Sequence, residues 1–267
     1  MEQTIKDISV YRTEMAKSMI DKLFFIDKIN PGLIVDFGCA DGTMLKYIRD
    51  LKPDIILIGY DVSQEMIDIA KSKNEIWQEY DEEQIPVFTS DWTLIERLVK
   101  YHTSKGVECA ITLSSVIHEV YSYGTEDTIK QFWKRLFNTE FSYIVVRDML
   151  LSKNSVHDSE IGDIQKIYNS QNPHIEEFET MWGKISNYKN LLHYLLKFRY
   201  NKNWFRELRE NYLPITLEDM MSKIPTEKYS YDFYSHYLLP FIEQSVKEEF
   251  DIKLSEPTHI KLILKKK

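Results

Sequence analysis

The stretch LIVDFGCADGTMLKYI, residues 33–48, runs an apolar segment into an acid, Asp36, and then sets Gly38, Ala40 and Gly42 within five positions before helical spacing begins. Small residues at a strand-to-helix turn let a ligand approach the backbone closely. The fold follows from what lies on either side. Residues 11–29 carry apolar groups near helical spacing and predict a leading helix. After the turn, 43–51 predicts a helix, 54–62 a second buried strand and 64–73 a helix capped by Ser63. Residues 85–91 and 141–150 predict further strands and the stretch 108–120 begins as another, with helices over 92–104 and 125–138 between them. Continuously apolar strands alternating with helices imply an α/β, doubly wound, mostly parallel sheet covered on both faces.

The pattern changes after Leu150. Residues 151–215 show no clear strand and predict a mainly helical insertion. Thr216 caps a further helix, and the C-terminal FDIKLSEPTHIKLILKKK predicts a closing antiparallel hairpin turning at Pro257. The expected organisation is therefore 1–150 as the ligand-binding half, 151–215 as an insertion over the acceptor, and 216–267 as the closing part of the same sheet. The 267 residues suffice for a substantial core.

A net charge of −8 offers no general attraction to nucleic acid or anionic membrane. Cys39 and Cys109 form no disulfide framework and fit a reducing, cytoplasmic setting. The first nineteen residues lack the apolar core of a secretory signal, and no run approaches a membrane span.

Two ligand classes fail at the glycine turn. A dinucleotide site wants G-x-G-x-x-G, whereas Gly38, Ala40 and Gly42 fall at G-x-A-x-G, with the third small residue one position early. A P-loop would need GK[ST], and none follows.

The motif VDFGCADGT resembles the first motif of class I (Rossmann-like) S-adenosylmethionine-dependent methyltransferases, an acid followed by G-x-G-x-G, with Ala40 in place of the middle glycine. The resemblance extends to DVSQEMIDIAK and to the acid of TSDW, and covers about residues 30–150. It implies S-adenosyl-L-methionine as cofactor. The backbone of Gly38, Cys39, Ala40 and Gly42 would wrap its amino-acid end, and Asp36 would contact its amino group. Asp61 would hold both ribose hydroxyls, Val62 and Met66 would continue that wall, Asp91 would accept from the adenine amino group, and Trp92 would line the adenine pocket. Ser114 lies where the fourth motif begins. The chemistry agrees: vicinal hydroxyls suit one carboxylate, and an acid-lined site complements a sulfonium and an ammonium.

Methyl transfer is an in-line displacement with a leaving group already activated, so the acceptor is constrained far less than the cofactor. Candidates for the acceptor site follow the fourth and fifth strands. His118 is suited to general-base work, with Glu119, Tyr121 and Tyr123 beside it. Arg147 suits a carboxylate or phosphate, and Asp148 adjoins it. Tyr11 and Arg12 lie in a segment that often closes over the cofactor in this family. No H-x-x-x-H pattern or second acid follows His118–Glu119 at metal-ligand spacing, so no metal is expected. The stretch Lys197–Tyr212 interleaves cations with aromatics, as a lid or as a grip on single-stranded RNA. Three functions stand open: a methyltransferase of a small molecule, favoured by the net charge; an RNA or tRNA methyltransferase; and a non-catalytic nucleoside-binding scaffold.

Overall fold

The computed structural model describes residues 18–72, 77, 80–170 and 174–267. Tyr11, Arg12 and the start of the expected leading helix lie outside the described residues. Of that helix, α1 spans Met19–Lys22. The strands are β1 (Leu33–Phe37), β2 (Ile56–Tyr60), β3 (Val87–Thr89), β4 (Cys109–Ser114), β5 (Tyr143–Met149), β6 (Tyr229–Tyr237) and β7 (His259–Lys266). They form one sheet in the order β3-β2-β1-β4-β5-β7-β6, with β1 to β5 parallel and the last two antiparallel. The order reverses between β1 and β4, which opens a ligand crevice at the carboxyl ends of those strands.

Side-chain alternation sorts the two faces. Leu33, Val35 and Phe37 of β1 join Ile111, Leu113, Ile144 and Val146 beneath α4 (Trp92–Ser104), α5 (Ile117–Tyr123) and α6 (Glu126–Asn138). Ile34, Leu57, Ala110 and Val145 point the other way, under α1, α2 (Thr43–Leu51) and α3 (Gln64–Ser72). Two-sided burial is why the strands read as continuous apolar runs. Gly59 of β2 lets Phe88 lie flat against the sheet: a Cβ there would sit 2.5 Å from the ring. Gly59→Ala is expected to cost about 1–3 kcal/mol by overpacking, read from the urea midpoint; an unchanged midpoint would mean that β3 shifts freely.

The antiparallel pair differs in one respect from expectation. Its partner strand is 229–237, and residues 251–256 form no strand. The aromatics of YSYDFYSHY satisfy β-propensity and pair with β7, while α12 (Pro240–Phe250) fills the connection.

The insertion holds α7 (Ile161–Asn169), α8 (Ile175–Trp182), α9 (Tyr188–Lys197) and α10 (Trp204–Arg209); α11 (Leu217–Met221) follows. It leaves and returns at one point, where Leu151 pairs with Thr216. Its own core gathers Phe178, Leu192, Tyr194, Leu195 and Trp204, and takes in Ile242, Val246, Phe250 and Leu254 from beyond it. Much of the basic-aromatic stretch points inward: Lys197, Phe198, Trp204 and Tyr212 are buried, and Phe205 is exposed.

Candidate active site

The glycine turn is built as its composition requires. Gly38, Ala40 and Gly42 have φ of +77°, +46° and +82°. Gly38 needs glycine twice over, since a Cβ would meet Val116 at 2.8 Å. Gly38 and Cys39 donate to the carbonyl of Tyr60 at the end of β2 (2.8 and 3.0 Å). The Asp61 carboxylate accepts from the N–H of Ala40 at 3.0 Å and of Ser63 at 2.9 Å. A carboxylate has about four lone-pair positions, so two remain that could accept from a ligand's hydroxyls.

Asp36, next to last in β1, is buried and accepts from the Thr112 hydroxyl at 2.9 Å. Burial pushes its carboxyl up to about 7, against the opposing pull of Thr112 and Lys22. Asp91 is exposed; one of its oxygens caps α4 by accepting from Thr93 N–H at 2.8 Å. Trp92 is buried edge-on against Phe37 and Tyr60, with centroids 5.5 and 5.2 Å apart. Its indole N–H and the Ser114 hydroxyl find no hydrogen-bond partner among the described residues. Met66 is half-buried, and Val62 is exposed. The cradle, the spare acceptors of Asp61 and these orphaned polar atoms fit a bound S-adenosylmethionine.

Sequence distance hides the second half of the site. After β4 the chain turns through Ser115, at φ +57°, into α5, which carries His118 and Glu119. Asp148, next to last in β5, accepts from the N–H groups of Val116, Ile117 and His118 at 3.1, 2.7 and 3.3 Å. Its other oxygen lies 2.6 Å from His118 Nδ1. On the far side of the ring, Nε2 lies 2.8 Å from Glu210, which follows α10 in the insertion. His118 is buried and its pKa stands well above the usual value: burial opposes the rise, and Asp148 and Glu210 overcome it. Both acids are held below their ordinary range against burial, chiefly by His118.

Glu119 is half-buried, 3.6 Å from the Arg206 guanidinium. Burial raises its carboxyl to about 7, with Glu210 adding to the rise and His118 and Arg206 opposing it. Arg206 also bonds Glu207 at 3.0 Å. Lys197 donates to the carbonyls of Glu207 and Glu210 and lies over Tyr212, so the loop carrying Glu210 is held from below. Asn211 N–H donates to Ser122 Oγ of α5 at 2.9 Å.

Arg147 and Asp148 face opposite sides of β5, and each is engaged. Arg147 bonds Asp21 of α1 at 2.7 Å and Ser115 at 2.9 Å, and Tyr237 and Lys261 converge on the same Asp21. Tyr121 accepts from the Trp133 indole at 2.9 Å, and Tyr123 is exposed. Sequence reasoning places none of Asp21, Arg206 and Glu210 in the site. No local pattern marks them, because each acts across the fold.

A parallel sheet reversing at β1/β4, with a left-handed glycine turn and acids ending β1 and β2, defines the nucleoside-binding fold of class I methyltransferases. The comparisons agree. A sequence model described as "Methyltransferase domain" matches residues 11–177, more than half of the chain, and the protein belongs to that family. It is an S-adenosylmethionine-dependent methyltransferase. Among solved structures it resembles the methyltransferase domain of bacterial CtHen1, at 15% identity and TM-score 0.50, covering 93% of this chain and 97% of that one. It is also similar to the plantazolicin methyltransferase BpumL in complex with a triazolic desmethylPZN analog and SAH, at 14% identity and TM-score 0.47, covering 95% and 84%. MccD matches at 11% identity and TM-score 0.47, covering 95% and 98%. At 15% identity the likeness to the CtHen1 domain is one of fold. No curated protein sequence matches the chain. Among the described residues, no helix is long and apolar enough to cross a membrane.

Proposed function

We propose that the methyl acceptor is a small molecule bound at the carboxyl edge between α5 and the insertion, beside Glu119. One observation carries this reading: the insertion reaches back to that edge, where Glu210 and Arg206 meet His118 and Glu119. A roof of this kind excludes water from a displacement reaction. S-adenosylmethionine supplies the activated methyl group. Asp36, the turn 38–42 and Asp61 would hold it, with Asp91, Trp92, Met66, Val62 and Ser114 around the nucleoside.

On this reading His118, Arg147 and Asp148 are positioning residues. Both His118 nitrogens face carboxylates, Asp148 anchors the start of α5, and Arg147 ties α1 to the sheet. Glu119 is the acid of the group with part of its side chain open, at 39% exposure, and is the acceptor contact. The burial of Lys197, Phe198, Trp204 and Tyr212 favours this over an RNA grip, which needs those groups at the surface. Two free, buried thiols suit a cytoplasmic, reducing setting.

The test incubates the protein with methyl-labelled cofactor and a cell extract split into metabolites and RNA. Label is expected in the metabolite fraction, with little dependence on salt. Label confined to RNA, falling steeply with salt, would overturn the reading.

A further inference from the structure

We propose that His118, Glu119 and Glu210 form a binding site for a divalent metal cation of the Mn²⁺ class. The expectation of no metal rested on chain spacing, because no second acid follows His118–Glu119 closely enough. The fold supplies that acid from the insertion. One ligand atom from each of the three residues lies within 4.8 Å of the other two. Ligands about 2.1 Å from one cation stand roughly 3–4 Å apart, so small side-chain rotations complete the site. His118 Nε2 and Glu210 Oε1, at 2.8 Å, are already near that spacing.

The arrangement around the ligands is that of a prepared site. Asp148 takes His118 Nδ1 at 2.6 Å and so turns Nε2 toward the two glutamates, as outer carboxylates do for metal-bound imidazoles. The same Asp148 fixes the first turn of α5 through three backbone N–H groups. Glu210 is held by its neighbour Asn211, which is bonded to Ser122. One imidazole with two carboxylates suits Mn²⁺, where nitrogen and hard oxygen preferences overlap. Three protein ligands leave positions open, and the partial exposure of Glu119 puts them on the solvent side. Arg206, 3.6 Å from Glu119 and 3.9 Å from Glu210, is the competing positive charge. The open positions would face the proposed acceptor; that last step rests on the acceptor reading above, and the cation site does not.

The test titrates Mn²⁺ into the 267-residue protein without cofactor, followed by electron paramagnetic resonance. One ion per chain is expected. Glu119→Gln, at a half-exposed position, is expected to weaken binding at least tenfold while the thermal melt stays cooperative. Arg206→Met is expected to tighten it. No binding by the unaltered protein at millimolar Mn²⁺, or equal binding by Glu119→Gln, overturns the proposal. Neither result bears on the acceptor, which the methyl-label experiment decides.

Discussion

Replacing His118 with alanine is expected to lower the stability of the protein by about 3–5 kcal/mol, the cost of breaking a buried ion pair from one side. His118 stands between Asp148 and Glu210, at 2.6 and 2.8 Å, and all three are buried. Without the imidazole, two carboxylates face a dry gap with no positive charge between them. Asp148 keeps its four backbone N–H donors. Glu210 has less to fall back on, since Arg206 is 3.9 Å away and shared with Glu119 and Glu207. The damage should therefore fall on the contact between the insertion and α5. Urea unfolding, run with a chelator present, reads the loss. The double variant His118→Leu/Glu210→Leu should lose clearly less than the sum of the two singles, because the pair is coupled. A loss under about 1 kcal/mol in His118→Ala would show that the triad is hydrated and that the insertion is held by its apolar core alone.

The second large effect is on cofactor affinity. Asp61→Ala is expected to weaken S-adenosylhomocysteine binding about 100- to 1,000-fold, or roughly 3–4 kcal/mol, by calorimetry. Two losses combine. On the proposed reading the paired ribose hydroxyls lose a charged acceptor, each such bond being worth about 1.5–3 kcal/mol. The N–H groups of Ala40 and Ser63, bonded to Asp61 at 3.0 and 2.9 Å, lose the group that holds the turn in shape. Asp61→Asn separates them. Its amide oxygen can still accept from one N–H, so much of the turn should survive while the charge is gone. Equal losses in both variants would assign the effect to the charged ribose contact. A near-normal affinity in Asp61→Asn would assign it to the turn. Unchanged affinity in Asp61→Ala would remove Asp61 from the cofactor site.

The cofactor half of the protein is legible in its sequence because its determinants are local. A buried parallel strand must be apolar along its whole length, and a turn at positive φ wants small residues, so Leu33–Gly42 declares itself. Asp36, Asp61 and Asp91 each end a strand or open the helix after it, which ties their place to the same periodicity. Register along the sheet then puts Thr112 opposite Asp36. The C-terminal strands were harder to read. Residues 251–256 alternate as a strand would, yet Ile252 and Leu254 serve the insertion's core, and the aromatic stretch 229–237 pairs with β7. Apolar alternation records that one face is buried and does not say against what.

The charge network between α5 and the insertion was decided by tertiary structure alone. His118 and Glu210 are separated by 92 positions, and Arg147 and Asp21 by 126. Charges that pair across such distances leave no spacing in the chain to read. The same holds for Lys197 and Tyr212, whose cationic and aromatic character points outward in the sequence and is turned inward by the core they help to close. The sequence by itself determined the parallel strands, the turn and the cofactor, because backbone geometry demands particular residues at particular steps. Only the folded chain decided which buried charges meet between α5 and the insertion, because an ion pair needs proximity in space and nothing from the residues between.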